Sequence, residues 1–247
     1  MATILGIPFS EKNMAQTLTA LNHHLDQKSF PFHVVTANPE VVMQAKRNRR
    51  FRMVVKQADM VTPDGIGIVI GSRILKENVP ERVTGYDLIM NLLSLREEQQ
   101  KKTRVFLLGA KEDVIPLAAE QLSSQYPHID VVGYHHGYFE EESTEEDKIV
   151  KTIKESNSDL VLVGFGCPRQ EMFISQYKEA IGAKLYIGCG GSLDVVAGEV
   201  KRAPEFIQKV YLEWAWRLVK QPSRWKRQLD IPRFLVEVVR EKRKKQG

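Results

Sequence analysis

The sequence predicts an α/β fold in which a mostly parallel sheet carries helices on both faces. Short β-branched runs alternate along the chain with longer segments of helical periodicity, and this order is typical of repeated β-α units. The strand runs are apolar almost throughout, as expected for strands that are covered on both faces. Most of these runs end in a glycine-containing turn that leads toward a helix.

The elements follow one another in the order that such a fold requires. The predicted strands are residues 33–38, 58–65, 104–110, 129–137, 159–166 and 184–190. The predicted helices are residues 39–57, 85–102, 112–125, 145–156 and 168–182. Pro39 and Pro168 suit the first helical position, where a backbone N–H has no partner within the helix. Because ligands of parallel sheets bind beyond the carboxyl ends of the strands, we sought site residues in the turns that follow them.

Charge and tryptophan content divide the chain near residue 200. Residues 1–200 contain 22 Lys and Arg against 26 Asp and Glu, whereas residues 201–247 contain 14 against 5. The three tryptophans, Trp214, Trp216 and Trp225, all lie in the second part. We therefore predict an α/β body over residues 1–200 and a basic helical appendage over residues 201–247 that contacts an anionic membrane surface.

The predicted appendage consists of helices separated by a break. One helix follows Pro204, the chain breaks at residues 221–222, and Pro232 opens a last helix. An apolar stripe of that last helix comprises Phe234, Leu235, Val238 and Val239. The alternative to a membrane anchor is a helical cap packed on the body or at the interface of an oligomer, and the sequence leaves the oligomeric state open.

The bulk composition is that of an ordinary globular protein. The chain has 247 residues, 43% of them hydrophobic and 27% charged. No apolar run reaches the ~18 to 20 residues needed to span a bilayer, and the N-terminus lacks a signal peptide pattern. Cys167 and Cys189 are far apart in sequence, which indicates neither a disulfide framework nor a zinc site. We expect a cytoplasmic protein bound peripherally to the inner face of the membrane.

Polar residues follow the first two predicted strands. Thr62-Pro63-Asp64-Gly65 has the composition of an ordinary β-turn, but it also places a carboxylate where a substrate of the sheet would lie. Thr36 and Asn38 add a hydroxyl and an amide at the end of the neighbouring strand. Together they provide a candidate base and two neutral hydrogen-bonding groups suited to a sugar.

Arg82 precedes a predicted helix start. Thr84 and Asp87 have the spacing of a capping box, so we interpret Thr84 as a helix cap. The guanidinium of Arg82 lies just outside this cap and is suited to bidentate hydrogen bonding with a diphosphate. An ordinary surface arginine is the competing interpretation.

Glycine-rich strand ends indicate a phosphate-bearing ligand. They occur at Gly109, at residues 164–166 and at residues 188–191, where backbone N–H groups and helix dipoles favour anions. None completes a dinucleotide-binding or P-loop pattern, which disfavours a nicotinamide-dependent oxidoreductase. Tyr138 is a candidate for stacking on a nucleobase, and Asp194 for accepting a hydrogen bond from an imide N–H. Core packing or helix capping is the ordinary explanation of each alone.

The sequence predicts no metal site. His135 and His136 are adjacent in a predicted strand, where successive side chains point to opposite faces, so the two are not expected to bind one ion. No D-x-D pattern occurs that would hold a divalent cation against a sugar nucleotide. Arginines and helix termini would then stabilise a departing diphosphate.

Five motifs together resemble the WecG/TagA/CpsF family of glycosyltransferases. They are TANPE at 36–40, TPDGIG at 62–67, RVTGYDL at 82–88, GFGCPRQE at 164–171 and GCGGSLDVVAG at 188–198. Within the family the chain is most similar to the TagA branch of wall teichoic acid synthesis. The resemblance implies a Rossmann-like body that transfers N-acetylmannosamine from UDP-ManNAc to undecaprenyl-diphosphate-GlcNAc, forming a β-1,4 linkage with inversion. It also implies that no cofactor or metal ion is required, since the UDP-sugar is a substrate.

The resemblance further implies roles for individual residues. Asp64 matches the catalytic base. The other matches to the active-site polar set are Thr36, Asn38, Arg82 and Gln170. The matches to the nucleotide pocket are Gly109, Tyr138, Gly190, Gly191 and Asp194. In the appendage, the candidates to contact the lipid diphosphate are Arg217, Arg224 and Arg227.

Two alternatives remain at this point. A family relative that uses another donor, such as UDP-ManNAcA, would serve a different surface polysaccharide. A nucleic-acid-binding protein with a basic arm would use the same positive charges on phosphates, but it leaves the sugar-like pocket residues unexplained. The expected partners are accordingly a UDP-sugar, a lipid-linked acceptor and an anionic membrane surface, and not a nucleic acid.

Overall fold

The computed structural model describes residues 1–27, 30–209, 213–220 and 225–246. An antiparallel hairpin, β1 (Ala2–Ile4) and β2 (Ile7–Phe9), comes first. Its turn consists of Leu5 and Gly6, which have φ of 49° and 76°. This hairpin is absent from our sequence prediction because three-residue strands are too short to show an alternating pattern.

A six-stranded parallel sheet forms the centre of the molecule, as predicted. Its strands are β3 (Phe32–Ala37), β4 (Met60–Pro63), β5 (Thr103–Gly109), β6 (Ile129–His135), β7 (Leu160–Gly164) and β8 (Leu185–Gly188). The order across the sheet is β4-β3-β8-β7-β5-β6, and every neighbouring pair is parallel. β8 lies between β3 and β7, and all three strands are parallel. The turns that follow them are therefore neighbours at the carboxyl ends of the strands.

Helices cover both faces of the sheet, and most match the prediction. They are α1 (Met14–Asp26), α2 (Pro39–Arg47), α3 (Arg49–Gln57), α4 (Ile66–Leu75), α5 (Gly85–Glu98), α6 (Ile115–Gln125), α7 (Thr144–Glu155), α8 (Arg169–Ile181) and α9 (Ser192–Val196). Two details of the prediction are wrong. Asn48 divides the predicted helix 39–57, because it is extended and its side chain caps α3 by accepting from Phe51 N–H at 3.0 Å. Pro168, which was predicted at the first helical position, is instead the N-cap of α8, and Arg169 is the first helical residue.

The strands alternate their side chains between two apolar layers. Val34 points into the layer that contains α1, α5 and α6, whereas Val35 points into the layer that contains α2, α3 and α4. A further cluster around Phe173 fills the space between α7, α8 and the sheet. This packing fixes the strand ends from which the site is built.

The C-terminal part is helical, and its last helix packs on the body. The elements are α10 (Glu205–Lys209), α11 (Glu213–Lys220), α12 (Trp225–Gln228) and α13 (Asp230–Gln246). Phe234 and Val238 of α13 have no exposed surface and belong to the same cluster as α2 and α4. The apolar stripe of α13 therefore covers the body over part of its length, as in the alternative of a helical cap. The predicted break at 221–222 lies outside the described residues.

An ion pair between exposed Arg47 and buried Asp230 fixes the start of α13. Both guanidinium nitrogens of Arg47 donate to the carboxylate of Asp230, at 2.8 and 2.6 Å, and Asp230 is 4% exposed. Hydrogen bonding to Arg47 lowers the pKa of Asp230. The helix thus begins two residues before Pro232, the predicted opening residue.

In the described segments, no helix has both the length and the apolar character needed to cross a bilayer.

Candidate active site

A cavity of about 350 Å³ opens beyond the carboxyl ends of β3, β4, β7 and β8. All five residues predicted to be catalytic line it, namely Thr36, Asn38, Asp64, Arg82 and Gln170. The parallel sheet explains this convergence, because the turns after neighbouring strands share one edge. The C-terminal helices α11, α12 and α13 close the opposite wall. The cavity therefore lies between the predicted body and the predicted appendage.

Asp64 is the first residue after β4. Its side chain is partly exposed and lines the cavity. Its backbone N–H donates to the carbonyl of Ala37 at 3.0 Å, which fixes the turn against β3. Its carboxylate accepts from the backbone N–H of Gly85 at 3.4 Å. Gly85 is the first residue of α5, and the N-terminus of a helix stabilises negative charge. The carboxylate is thus oriented by the backbone at the wall of the cavity.

Thr84 caps α5, as predicted. Its hydroxyl accepts from Asp87 N–H at 3.3 Å and donates to the Asp87 carboxylate at 2.6 Å. The cap therefore sets the position of Gly85, which in turn contacts Asp64.

Thr36 and Asn38 have structural partners as well as positions in the cavity. The Thr36 hydroxyl donates to the carbonyl of Gly188 at 2.9 Å, which leaves its oxygen as an acceptor. The Asn38 side-chain oxygen accepts from Val41 N–H at 3.0 Å and so caps α2. Its amide NH₂ remains the group suited to donate to a ligand.

Gln170 connects the two glycine-rich turns. Its side-chain oxygen accepts from the N–H of Gly166 at 3.0 Å and from the N–H of Gly190 at 2.9 Å. Its NH₂ donates to Glu171 at 2.7 Å, and the side chain is only 4% exposed. Gln170 therefore holds the turns after β7 and β8 in register, a positioning task that motif matching alone does not reveal.

Glu171 is a buried acid behind the cavity. It has no exposed surface, and its second carboxylate oxygen has no hydrogen-bond partner among the described residues. Burial raises the pKa of Glu171 to about 7, although the hydrogen bond from Gln170 opposes the shift. The acid is therefore partly protonated near neutral pH. It accepts the hydrogen bond from the Gln170 NH₂ and so helps to fix that side chain.

Replacing Glu171 by Gln is expected to stabilise the protein more at pH 8 than at pH 5. The folded-state pKa lies above the ordinary value of 4.5, so the unmodified protein loses stability as pH rises from about 4.5 through 7. The loss in the free energy of unfolding is at most about 3 kcal/mol, the energy that corresponds to the pKa shift of Glu171. Urea unfolding at both pH values measures it, with the exposed Glu155→Gln as control. An equal effect of Glu171→Gln at both pH values would contradict the burial argument.

Four glycines form a close-packed row along the strand ends. A Cβ on Gly109 would lie 2.7 Å from the carbonyl oxygen of Gly164, and one on Gly164 would lie 2.8 Å from that of Gly190. A Cβ on Gly137 would lie 3.2 Å from Gly109. Gly109 also has φ of 142°, which side chains rarely adopt. The predicted nucleotide-pocket residue Gly109 is thus required by the backbone packing of this edge.

Tyr138 lies on a turn that Arg169 holds in place. The Arg169 guanidinium donates to the carbonyls of Gly137 and Phe139, at 2.5 and 2.7 Å, and stacks between the rings of Phe139 and Phe165. Tyr138 itself is 70% exposed. A large aromatic side chain is therefore presented to solvent from a fixed turn, as a stacking residue would be. Sequence reasoning missed Arg169, whose role depends on a long-range contact.

The remaining nucleotide-pocket predictions divide into two groups. Gly190 and Gly191 line the cavity, whereas Gly109, Tyr138 and Asp194 lie outside its walls. Asp194 is in the first turn of the short helix α9, and its carbonyl accepts from Val200 N–H.

Of the three appendage arginines predicted to contact the lipid diphosphate, only Arg227 has its side chain among the described residues. Arg227 lines the cavity and lies 3.6 Å from the carboxylate of Glu40. Arg224 and the side chain of Arg217 lie outside the described residues.

Arg82 contacts the appendage directly at the cavity wall. Its guanidinium donates to Glu213 of α11 at 2.8 Å, and the other oxygen of Glu213 accepts from Arg202 at 3.4 Å. Arg202 also pairs with Asp87 at 2.7 Å. Two arginines therefore share one carboxylate at the cavity wall. Arg202 and Glu213 were not predicted from the sequence, because the contact between Glu213 and Arg82 joins distant segments of the chain.

The argument against a histidine pair is wrong in its geometry. β6 ends at His135, so His136 is no longer held on the opposite face, and the two ring centroids lie 4.4 Å apart. Ligand atoms of His135, His136 and Glu145 lie within 4.8 Å of one another. One ring nitrogen of His136 already accepts from Tyr138 N–H at 3.3 Å. The absence of a bound metal stays a prediction.

Comparison with known proteins identifies the family. The model of the WecG/TagA/CpsF glycosyl transferase family matches residues 2–247. The chain belongs to the WecG/TagA/CpsF family. It is therefore a glycosyltransferase, which confirms the resemblance inferred from the motifs. The family match extends through α13, so the C-terminal helices are part of the family's common sequence.

Three relatives share the name N-acetylglucosaminyldiphosphoundecaprenol N-acetyl-beta-D-mannosaminyltransferase. The protein from Bacillus subtilis strain 168 is 38% identical over 244 residues, which cover 98% of this chain and 93% of the relative. The protein from Bacillus spizizenii is 40% identical over 220 residues, covering 89% and 83%. The protein from Staphylococcus aureus strain MW2 is 34% identical over 242 residues, covering 98% and 93%.

Proposed function

We propose that this protein transfers N-acetylmannosamine from UDP-ManNAc to the GlcNAc of undecaprenyl-diphosphate-GlcNAc. The observation that carries the proposal is the placement of Asp64 in a cavity walled by glycine-rich strand ends, with Arg82, Arg202 and Arg227 in the same walls. A sugar nucleotide and a lipid diphosphate both need cationic or N–H donor groups. The shared name of the relatives provides the sugars and the acceptor.

In this reaction Asp64 acts as the general base. Its carboxylate takes the proton of the C4 hydroxyl of GlcNAc as that oxygen bonds to the anomeric carbon of ManNAc. The bond from that carbon to the UDP oxygen breaks, and UDP leaves with the electron pair. One displacement inverts the anomeric centre, so a single base suffices, in contrast to the nucleophile and acid of a retaining enzyme.

The negative charge of the departing UDP requires stabilisation. The guanidinium groups of Arg82, Arg202 and Arg227, which line the cavity, are the groups suited to this task. Glu213 already pairs with Arg82, so a diphosphate bound there would compete with this carboxylate. We accordingly assign charge stabilisation to arginine side chains, without a cofactor or a required metal ion.

The protein would work at the inner face of the membrane, where its acceptor lies. Basic side chains near anionic lipid contribute about 1 kcal/mol each to membrane association. Trp225 is 54% exposed and Val219 is 74% exposed, and both lie on the C-terminal helices that border the cavity. These features support a peripheral contact that leaves the active site open to a lipid-linked acceptor.

A direct assay of UDP release tests the proposal. With UDP-ManNAc and a short-chain lipid-diphosphate-GlcNAc, we expect UDP release that depends on the acceptor and is unchanged by a chelator. UDP-GlcNAc serves as the epimer control, and UDP-ManNAcA tests the alternative donor. Faster release with UDP-ManNAcA would overturn the proposed donor, and loss of activity with chelator would overturn the metal-independent mechanism.

A further inference from the structure

Two chemically different sets of residues line the cavity. The turns after β3, β4, β7 and β8 provide the polar set, which contains Asp64. The other set is apolar, and four of its residues belong to two helices. These are Ile66 and Ile70 of α4 and Ile231 and Leu235 of α13, which we call the apolar wall. The polar mechanism described above makes no use of this wall.

Both helices present their residues in the same way. Ile66 and Ile70 are four residues apart, as are Ile231 and Leu235, so each pair lies on one helix face about 6 Å apart along the axis. The row begins two residues after Asp64. Ile66 is the first residue of α4, so the apolar wall begins beside the turn that carries Asp64, and Ile70 lies one helical turn further along.

A close helix contact holds the apolar wall in place. Phe234 and Val238 of α13 are buried against α4, where a Cβ on Gly71 would lie 2.9 Å from the Phe234 ring. The absence of a side chain at Gly71 lets the two helices approach. Because Phe234 fills this contact, the adjacent Leu235 is directed toward the cavity.

The apolar wall is open to a ligand. Ile70 is 39% exposed, and Trp214 of α11, which also lines the cavity, is 40% exposed. Arg82, Arg202 and Arg227 line the same cavity and so complement a diphosphate. A ligand that carries a sugar, a diphosphate and a hydrocarbon chain matches the three kinds of side chain that line this one cavity.

We propose that the apolar wall binds the first isoprene units of the lipid carrier. This inference rests on the proposed function, since it assigns the hydrocarbon part of the proposed acceptor to α4 and α13. The enzyme then recognises its acceptor by the chain next to the diphosphate as well as by the sugar. The docked helix α13 forms one side of the acceptor site in addition to covering the core.

Binding of two soluble probes to the full-length protein tests the inference. Isothermal titration with farnesyl diphosphate and with inorganic diphosphate gives a ratio of Kd values. In the unmodified protein, farnesyl diphosphate should bind at least about tenfold more tightly than inorganic diphosphate. This is the gain expected when an apolar surface the size of one side chain is buried. Ile70→Ser and Leu235→Ser should each reduce that ratio about fivefold or more and leave the Kd of inorganic diphosphate unchanged. Leu117→Ser on α6, where Leu117 is 45% exposed, is the matched control and should preserve the ratio.

Other outcomes overturn the inference. If farnesyl diphosphate binds no more tightly than inorganic diphosphate, the wall does not hold the chain. If the serine variants weaken both probes equally, the wall only shapes the diphosphate site. Neither measurement needs sugar transfer, so a failure of the UDP-release assay would reject the proposed function while this experiment still decides the role of the wall.

Discussion

Replacing Asp64 by Asn is expected to lower kcat by about 10² to 10⁴-fold, the usual contribution of a general base. Asn has nearly the same shape, and its oxygen can still accept from the N–H of Gly85, which the Asp64 carboxylate contacts at 3.4 Å. The turn after β4 should therefore keep its position. Asn cannot take the proton of the acceptor hydroxyl, so the loss should fall on turnover rather than on folding or UDP binding.

Three measurements separate these possibilities. The kcat is obtained from UDP release, the UDP affinity from titration calorimetry, and folding from thermal unfolding. The exposed Asp113→Asn, at the turn before α6, serves as the matched control and should leave all three unchanged. A variant at position 64 that retains more than half of the original kcat would remove Asp64 from the role of base.

The strand ends could be predicted from the sequence because local and global patterns agree there. Apolar β-branched runs predict the strands, and parallel pairing brings their carboxyl ends to one edge. Thr36, Asn38 and Asp64 follow from this argument alone. Thr84 was likewise predictable, because a helix cap depends on residues three positions apart.

Other parts of the site depend on contacts that no local pattern encodes. Gln170 was matched to the active-site polar set, yet its side-chain oxygen joins the N–H groups of Gly166 and Gly190, which lie 24 positions apart. The pair formed by Glu213 and Arg82 spans 131 positions. The histidine argument failed because it needed the strand to continue one residue past His135.

The apolar stripe of the last helix was the most ambiguous pattern. An amphipathic helix can place such a stripe on a bilayer or on a protein core, and periodicity does not distinguish them. The structure buries Phe234 and Val238 in the body and leaves Val236 and Val239 exposed. The two sides of the boundary predicted at residue 200 therefore differ in charge, but they share one hydrophobic core.

Replacing Phe234 by Ala is expected to destabilise the whole protein by about 3 to 5 kcal/mol. Phe234 has no exposed surface and packs at the close contact between α13 and Gly71. Its removal leaves a cavity in the cluster that also contains α2 and α4. For a chain of this length, the change corresponds to a Tm lower by roughly 6 to 20 °C. Differential scanning calorimetry measures it as a shift of one transition.

Val236→Ala on the same helix is the matched control, because Val236 is 50% exposed and its truncation should change stability by no more than about 0.5 kcal/mol. If α13 were an independent appendage, Phe234→Ala would leave the main transition in place and only make residues 230–246 sensitive to protease. A shifted main transition would instead mean that the helix bearing Ile231 and Leu235 folds with the sheet that bears Asp64. The two sides of the cavity would then be held in fixed relation by one hydrophobic core, before any substrate or membrane is bound.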